Sequence, residues 1–351
     1  MDRVIVFKNK PIAGLVSIVI PAFNRDHLIG STLASIREQT YKNWEVVVVE
    51  DSSRGKTQQI VKSFGQSVDN RVLYRRNQQN LGAAETRNVA FAEASGQYIA
   101  FLDSDDRWLP NHLSSLVETL ERTRCDIAYA NVQMVEDQTD GHLGMYGPSS
   151  KEVATFPESL FLRNFVVPSA TVIRRNVLSC VGGWSSDCRY CEDFDFWLRC
   201  VRQNFRFEHL CEETCLYRKC HAGATTEKLA ATIEEVAFIV RRYVNEEGRN
   251  GRLFRQAAYQ NLIAASRLHR RSDPTKDPSS DGYRGGQLLL EAWRLKRSKI
   301  GLLAKGLGVC AHQFIRQSVA KQTNDRSKYR TPIAGMCQQS PANDFRFKKA
   351  A

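Results

Sequence analysis

The chain of 351 residues carries a formal net charge of +12, with 42% hydrophobic and 25% charged residues. These fractions are those of a folded globular protein and exclude a chain that is disordered throughout. The charge is uneven, because residues 241–351 hold 23 Lys and Arg against 8 Asp and Glu, which leaves the first 240 residues slightly acidic. An acidic front part would repel phosphate backbones, so we expect no nucleic-acid partner.

The sequence contains no run of about 20 apolar residues, as a membrane helix would need, and its N-terminus lacks a signal-peptide pattern. We therefore expect a cytoplasmic protein with reduced thiols among its ten cysteines. Cys188 and Cys191 form a C-x-x-C, which could suggest structural zinc. No second C-x-x-C accompanies it, and buried structural thiols are the simpler interpretation.

Short β-branched runs alternate with helical spacing over the first hundred residues. The predicted elements are strand Val16–Ile20, helix Asp26–Thr40, strand Glu45–Val49, strand Val72–Tyr74, helix Ala83–Ala94 and strand Tyr98–Leu102. This alternation predicts an α/β fold with a mostly parallel sheet flanked by helices. Ligands of such sheets bind beyond the carboxyl ends of the strands.

Polar clusters follow three of these strands directly. They are Pro21-Ala22-Phe23-Asn24, Glu50-Asp51 and Asp103-Ser104-Asp105-Asp106. One such Asp is commonly a turn or helix cap, but three clusters at one sheet edge favour a binding site. Asp103 and Asp105 offer the oxygen ligands that Mg²⁺ or Mn²⁺ prefers, and a cation there could bridge two phosphates.

Further candidates lie on later segments. Arg87, one turn into the second predicted helix, could reach a phosphate or hold the acidic edge in place. Glu192 and Asp193 follow a Gly-Gly-Trp184 turn and begin a helix, where a carboxylate is either a cap or a base for an acceptor hydroxyl. His221, in a segment rich in cations and small residues, could belong to a loop that covers phosphates.

The last third changes to amphipathic helical patterns. They are predicted at Ile233–Tyr243, Leu253–Leu268 and Gln287–Leu303, with a polar turn-rich stretch at Ser272–Gly286. Residues 226–320 thus form a basic helical C-terminal region, and 321–351 are expected to be a flexible tail. The basic helices could touch an anionic membrane surface, or they could simply present a solvated face.

The ordered motifs P-x-F-N, E-D, N-x-G-x-x-x-x-R-N, D-S-D-D, G-G-W with E-D-x-D-F-W-L-R, and Y-R-x-x-H resemble family 2 glycosyltransferases. The resemblance implies a GT-A fold over residues 1–225 with a C-terminal helical extension. It further implies a nucleoside-diphosphate sugar donor, with a UDP-sugar favoured, together with Mn²⁺ or Mg²⁺ and inversion at the anomeric carbon. A carbohydrate or lipid-linked acceptor in cell-surface polysaccharide synthesis would follow from it.

The resemblance also implies residue roles. The nucleotide would contact Pro21, Ala22, Phe23, Asn24, Asp51, Arg87 and Ser104; the donor sugar Asp103 and Trp184; the metal Asp105, Asp103 and His221; and the diphosphate His221. The base would be Asp193, with Glu192 in reserve. The family more often has two Asp followed by Gly where this chain has Glu50-Asp51-Ser52, which weakens the case for uridine.

Two other functions fit parts of this pattern. A nucleotidyltransferase also uses paired Asp residues and a metal, but it usually has a Gly-rich phosphate loop after its first strand. A catalytically silent carbohydrate-binding module could keep the same fold. The presence of Asp105, Asp193 and His221 favours the enzyme.

Overall fold

A computed structural model of the protein describes residues 5–52, 55–137, 139–219, 229–243, 245, 248–271, 281–296 and 305–307. The first part alternates strands and helices as the sequence predicts. Its elements are β1 (Ile12–Ala22), α1 (Ile29–Arg37), β2 (Trp44–Glu50), α2 (Thr57–Gly65), β3 (Val72–Arg76), α3 (Gly82–Glu93) and β4 (Gly96–Phe101). These four strands pair in parallel in the order β3-β2-β1-β4, which brings their carboxyl ends to one edge.

Buried β-branched side chains explain why β1 and β2 lie at the centre of this layer. Residues Val46–Val49 are fully buried on both faces of the sheet, and so are Ile18, Val19 and Ile20 of β1. A parallel strand covered by helices on both sides reads as a continuous apolar run rather than an alternating one. The strand ends are therefore fixed by the core beneath them.

The second part completes the sheet in a mixed arrangement. Its elements are β5 (Arg107–Trp108), α4 (His112–Thr123), β6 (Ile127–Glu136), β7 (His142–Tyr146), α5 (Ser150–Ala154), β8 (Thr171–Arg174), α6 (Arg175–Val181), α7 (Glu192–Arg202) and β9 (Phe207–Lys219). Strand β8 runs antiparallel between β4 and β6, while β6 pairs in parallel with β9. The predicted α/β fold is confirmed. All neighbouring strands are parallel within β1–β4, whereas the rest of the sheet combines parallel and antiparallel pairs.

Helices α8 (Leu229–Arg241), α9 (Gly248–Arg271) and α10 (Asp281–Leu295) follow. Helices α8 and α9 overlap the predicted Ile233–Tyr243 and Leu253–Leu268, whereas α10 begins inside the stretch predicted to be turn-rich. Residues 297–303 of the third predicted helix and the predicted tail at 321–351 lie outside the described residues. Phe254 of α9 packs on Phe161 with ring centroids 4.4 Å apart, so these helices share the core of the α/β part. No helix among the described residues is long and apolar enough to cross a membrane.

Candidate active site

The three polar clusters at the strand ends line one cavity of about 440 Å³. The predicted residues in its wall are Pro21, Ala22, Phe23, Asp51, Arg87, Asp103, Ser104 and Asp105. Phe23 lines the cavity and is 47% exposed, so its ring is accessible to a ligand there. Asn24 is outside the wall, in a turn with φ of 52°. The parallel strands thus gather the predicted groups as expected.

Asp51 is held rigidly at the base of this cavity. Its carboxylate accepts hydrogen bonds from the backbone N–H groups of Leu81 and Gly82, both at 2.8 Å, and from the Asn77 side chain at 2.9 Å. Leu81 and Gly82 are the N-cap and the first residue of α3, so Asp51 binds the start of the helix that carries Arg87. The carboxylate both shapes the cavity and fixes α3 against β2.

The Asp103–Asp106 turn carries three carboxylates with different partners. Asp105 is paired with Arg25 at 3.3 Å, and Asp103 with Arg87 at 2.5 Å. Asp106 is buried and accepts the backbone N–H of Arg218 at 2.9 Å. Burial, together with the charges of Asp105 and Asp103, raises the pKa of Asp106 well above its usual range. Asp106 therefore fixes the turn against β9, while the other two face the cavity.

Arg87 joins this cavity to the predicted acceptor side. The guanidinium is buried and donates to Asp103 at 2.5 Å and to Glu192 at 3.0 Å. It also lies over the Trp184 ring, with 4.7 Å between Cζ and the ring centroid. Of the two roles predicted for Arg87, these contacts support the one that holds the acidic groups together.

Trp184 lies beneath the site rather than in the cavity wall. Its side chain is 2% exposed and stacks on Phe196, with ring centroids 5.5 Å apart. Asn88 of α3 holds the backbone here, accepting the Trp184 N–H at 2.8 Å and donating to its carbonyl at 2.9 Å. The predicted contact of Trp184 with a donor sugar therefore finds no support in its position.

Glu192 and Asp193 begin α7, as predicted, and both are partly buried. Asn164 donates to Asp193 Oδ2 at 2.8 Å, and the Phe194 N–H donates to Oδ1 at 2.7 Å. Burial and the neighbouring Glu192 charge raise the pKa of Asp193 to about 7. Burial also raises the pKa of Glu192, although Arg87 opposes this. A carboxyl with a pKa near 7 is suited to general-base catalysis.

Tyr217 is a further residue of the cavity wall. Its side chain lines the cavity, and its pKa is raised well above the usual value by burial and by the charges of Asp106, Asp103, Asp193 and Asp105. Tyr217 is thus within electrostatic reach of carboxylates in the cavity wall and of Asp193. Asp193 itself is outside the cavity wall, next to the Arg87–Glu192 pair.

Sequence reasoning missed three residues of this site. Arg25 pairs with Asp105, Tyr217 lines the cavity, and Asn164 donates to Asp193. Arg25 directly follows P-A-F-N and Tyr217 belongs to Y-R-x-x-H, so both had a signal in the motifs. Asn164 had none, because its contact joins segments 29 residues apart. His221 falls outside the described residues.

A divalent cation could be held by Asp103 and Asp105, which face the same cavity. Over the described residues, no three His, Cys, Asp or Glu side chains form a complete metal site. Mg²⁺ typically takes one or two carboxylates and completes its shell with substrate phosphates and water, and a pair of Asp fits that pattern. The donor set is therefore compatible with a cation that arrives with a diphosphate.

Two solved structures share this architecture. The structure of S. aureus TarS 1–349 in complex with UDP-GlcNAc superposes with a TM-score of 0.62 at 17% identity, covering 88% of this chain and 92% of that one. Mannosyltransferase PcManGT from Pyrobaculum calidifontis, in complex with GDP-Man and Mn²⁺, gives 0.56 at 16% identity over 90% and 87%. The fold is therefore that of GT-A glycosyltransferases.

Sequence comparison gives the family. The model described as Glycosyl transferase family 2 matches residues 17–182. The Escherichia coli UDP-Glc:alpha-D-GlcNAc-diphosphoundecaprenol beta-1,3-glucosyltransferase WfgD is 31% identical over 190 residues, which cover 54% of this chain and 71% of that protein. The chain belongs to glycosyltransferase family 2, as the motifs predicted.

Proposed function

We propose that this glycosyltransferase moves a sugar from a nucleoside-diphosphate donor to an acceptor hydroxyl with inversion, assisted by Mn²⁺ or Mg²⁺. One observation carries the proposal. Arg87 pairs at once with Asp103 in the cavity wall and with Glu192, the neighbour of Asp193. This bridge supports a single site that combines the cavity of about 440 Å³ with a carboxyl whose pKa is about 7.

The nucleotide would occupy the cavity over Pro21, Ala22 and Phe23, with the base toward Asp51. A UDP-sugar is the favoured donor, since WfgD uses UDP-Glc and TarS was solved with UDP-GlcNAc. PcManGT, solved with GDP-Man, makes a GDP-sugar the second candidate. Arg25, Arg218 and Lys219 line the same cavity and supply positive charge for the diphosphate.

Asp105 and Asp103 would hold the cation, which neutralises charge on the leaving diphosphate when bound. Asp193 takes the proton of the acceptor hydroxyl, and that oxygen forms a bond to the anomeric carbon. The bond from this carbon to the phosphate oxygen breaks, and the nucleoside diphosphate leaves with the electron pair. Arg87 holds the side chains of Glu192 and Asp103 in a fixed arrangement. Formation of the new bond and cleavage of the bond to phosphate then occur at the same anomeric carbon.

The acceptor is proposed to be a saccharide on a lipid diphosphate, used in making a cell-surface glycan. Support comes from WfgD, which acts on a GlcNAc-diphosphoundecaprenol. We propose residues 1–225 as the catalytic domain and 226–320 as a helical region that faces such an acceptor, with 321–351 as a tail. Peripheral contact of the basic helices with an anionic membrane would suit this acceptor.

The variant Asp193→Asn tests this function. Asparagine keeps the shape but cannot take a proton, so transfer should fall by about 10²- to 10⁴-fold. Binding of UDP and UDP-sugars with Mn²⁺, followed by thermal shift, should stay unchanged and would also identify the donor. Asp187→Asn, on an exposed site before the same helix, is the matched control. Normal turnover of Asp193→Asn would eliminate the base, and a wild type without transfer would eliminate the function.

A further inference from the structure

The first turn of α7, which carries Glu192 and Asp193, is fastened to helix α8 by one side chain. We infer that Glu235 is a positioning residue for the catalytic carboxyl Asp193, an inference that rests on the proposed function. It assigns a role in the chemistry to a helix that lies beyond the residues 17–182 matched to the family.

The contact consists of three hydrogen bonds to a single carboxylate. Glu235 Oε1 accepts the backbone N–H of Arg189 at 2.6 Å, and Oε2 accepts those of Tyr190 at 2.6 Å and Cys191 at 2.7 Å. These residues are the last three before α7. Short hydrogen bonds to an ionised acceptor are among the stronger ones in proteins, so this segment is tightly held.

The helix itself gives the segment no comparable support. Cys191 is the N-cap of α7, and its side chain makes no capping hydrogen bond. Serine or aspartate at an N-cap normally fixes the entry of the chain into the helix. Here the side chain of Glu235, on another helix, holds the chain at the start of α7. The backbone segment that it binds ends at Cys191, next to Glu192.

A second contact from the same part of the chain follows along the first turn. Arg242, just after α8, donates to Asp195 Oδ1 at 3.1 Å, while Arg199 binds Oδ2 at 2.9 Å. Asp195 is 1% exposed, so its position is fixed from both sides. The chain around α8 thus contacts the backbone before α7, up to Cys191, and the first turn of α7 at Asp195, on either side of Asp193.

A shift of this segment would move Asp193 relative to the donor cavity. Misplacement of a reacting group by about 1 Å can cost on the order of 10²-fold in rate. The donor cavity contains no residue of α7 or α8, so nucleotide affinity should not respond. This separation between turnover and donor binding distinguishes a positioning role from general destabilisation.

The test compares full-length Glu235→Ala, Glu235→Gln and Glu235→Asp with Glu234→Gln as matched control. Glu234 is the neighbour on α8 but pairs with Arg284 and His269, away from α7. Backbone amide exchange of residues 189–193 is measured in each variant. Transfer is measured from UDP-glucose and UDP-N-acetylglucosamine with Mn²⁺ to a polyprenyl-diphosphate GlcNAc, and UDP affinity by calorimetry.

We expect exchange at 189–193 to accelerate about tenfold in Glu235→Ala, because three hydrogen bonds to a charged group are lost. Its kcat should fall by about 10- to 100-fold with unchanged UDP affinity. Gln, which keeps one acceptor oxygen, and Asp should be intermediate, and Glu234→Gln should match wild type.

Two results would overturn the inference: unchanged exchange in Glu235→Ala, or accelerated exchange with full kcat. A wild type without any transfer refutes the proposed function and, with it, the catalytic role of Glu235. The exchange data would then report solely on the contact between the helices.

Discussion

The proposed donor side and the proposed acceptor side of this site are built in different ways. The donor side consists of short segments that each follow a parallel strand, and the buried strands β1, β2 and β4 determine where those segments lie. The acceptor side begins α7 and depends on contacts from α3, from the loop at Asn164 and from α8. The geometry of the donor side is thus set by the sheet. That of the acceptor side is set by side chains that are distant in sequence.

The difference shows where a substitution should act. On the donor side the strand ends are fixed by the core, so a change to a side chain that only lines the cavity, such as Phe23, should affect ligand contacts alone. On the acceptor side the backbone depends on polar side chains, and removing one of them should displace Asp193 without touching the ligand. Arg87 belongs to both sides, because its guanidinium donates to Asp103 and to Glu192.

Arg87→Lys should therefore produce the largest effect of the substitutions considered below. A lysine ammonium is a compact point charge and cannot hold two carboxylates in the fixed geometry of a guanidinium. We expect kcat/KM for transfer to fall by about 10²-fold. Steady-state kinetics with the donor identified by the thermal-shift screen measures this.

Arg241→Lys is the matched control, because Arg241 pairs with Glu291 on the surface, where such pairs contribute about 0–1 kcal/mol. If Arg87→Lys instead kept full activity, the two sides of the site would not be coupled through this guanidinium.

The sequence predicted the donor side better than the acceptor side for a physical reason. Strand ends can be read from β-branched runs, and parallel pairing then brings Asp51, Asp103 and Asp105 to one edge. Their chemical roles remain proposals. Asn164 and Glu235 carry no local pattern, because their partners are 29 and more than 40 residues away. The sequence of the loop before α7 did not indicate that Glu235 binds its backbone.

Parts of the fold escaped prediction for the same reason. Strands β8 and β9 pair on either side of β6, without the helix-strand alternation that marks β1 to β4. Helix α10 begins at Asp281, in a stretch where Gly and polar residues predicted turns. Its apolar face packs on α8 and α9, with Leu288 and Ala292 buried, and this tertiary contact outweighs the weak local preference.

The pH dependence of transfer should report the ionisation of Asp193 on the proposed acceptor side. The pKa of Asp193 is raised to about 7, with Glu192, Arg87, Tyr146 and Asn164 as its neighbours. The base acts only when ionised, so kcat should level off above pH 7 and fall about tenfold per pH unit below it. Measurement of kcat from pH 5 to 9 at saturating donor checks this.

Asn164→Ala should move that midpoint to higher pH, because the Asn164 amide donates to the ionised form of Asp193 and so lowers its pKa. Asn176→Ala, at an exposed position on α6, should leave the profile unchanged. A flat profile in wild type, or an identical midpoint in Asn164→Ala, would contradict the assignment of the base.

Gly183→Ala should have the smallest effect on turnover. It should nevertheless lower the free energy of unfolding, and it therefore tests how far the acceptor side depends on its polar contacts. A Cβ at this position would lie 2.2 Å from Asn88 Oδ1. That oxygen accepts the Trp184 N–H, so Asn88 would have to move and lose its hydrogen bonds to the loop beneath Arg87. We expect a loss of about 1–3 kcal/mol in unfolding free energy, measured by urea denaturation, and a change in kcat of only a few fold.

Gly30→Ala is the natural comparison on the donor side. Its added Cβ would meet only Ile60 at 3.9 Å, an ordinary contact, and alanine gains up to about 1 kcal/mol over glycine within a helix. This variant should therefore be as stable as wild type or slightly more so. Equal stability of the two variants would mean that the loop relaxes around Asn88, and the acceptor side would then be less dependent on its polar contacts than we argue.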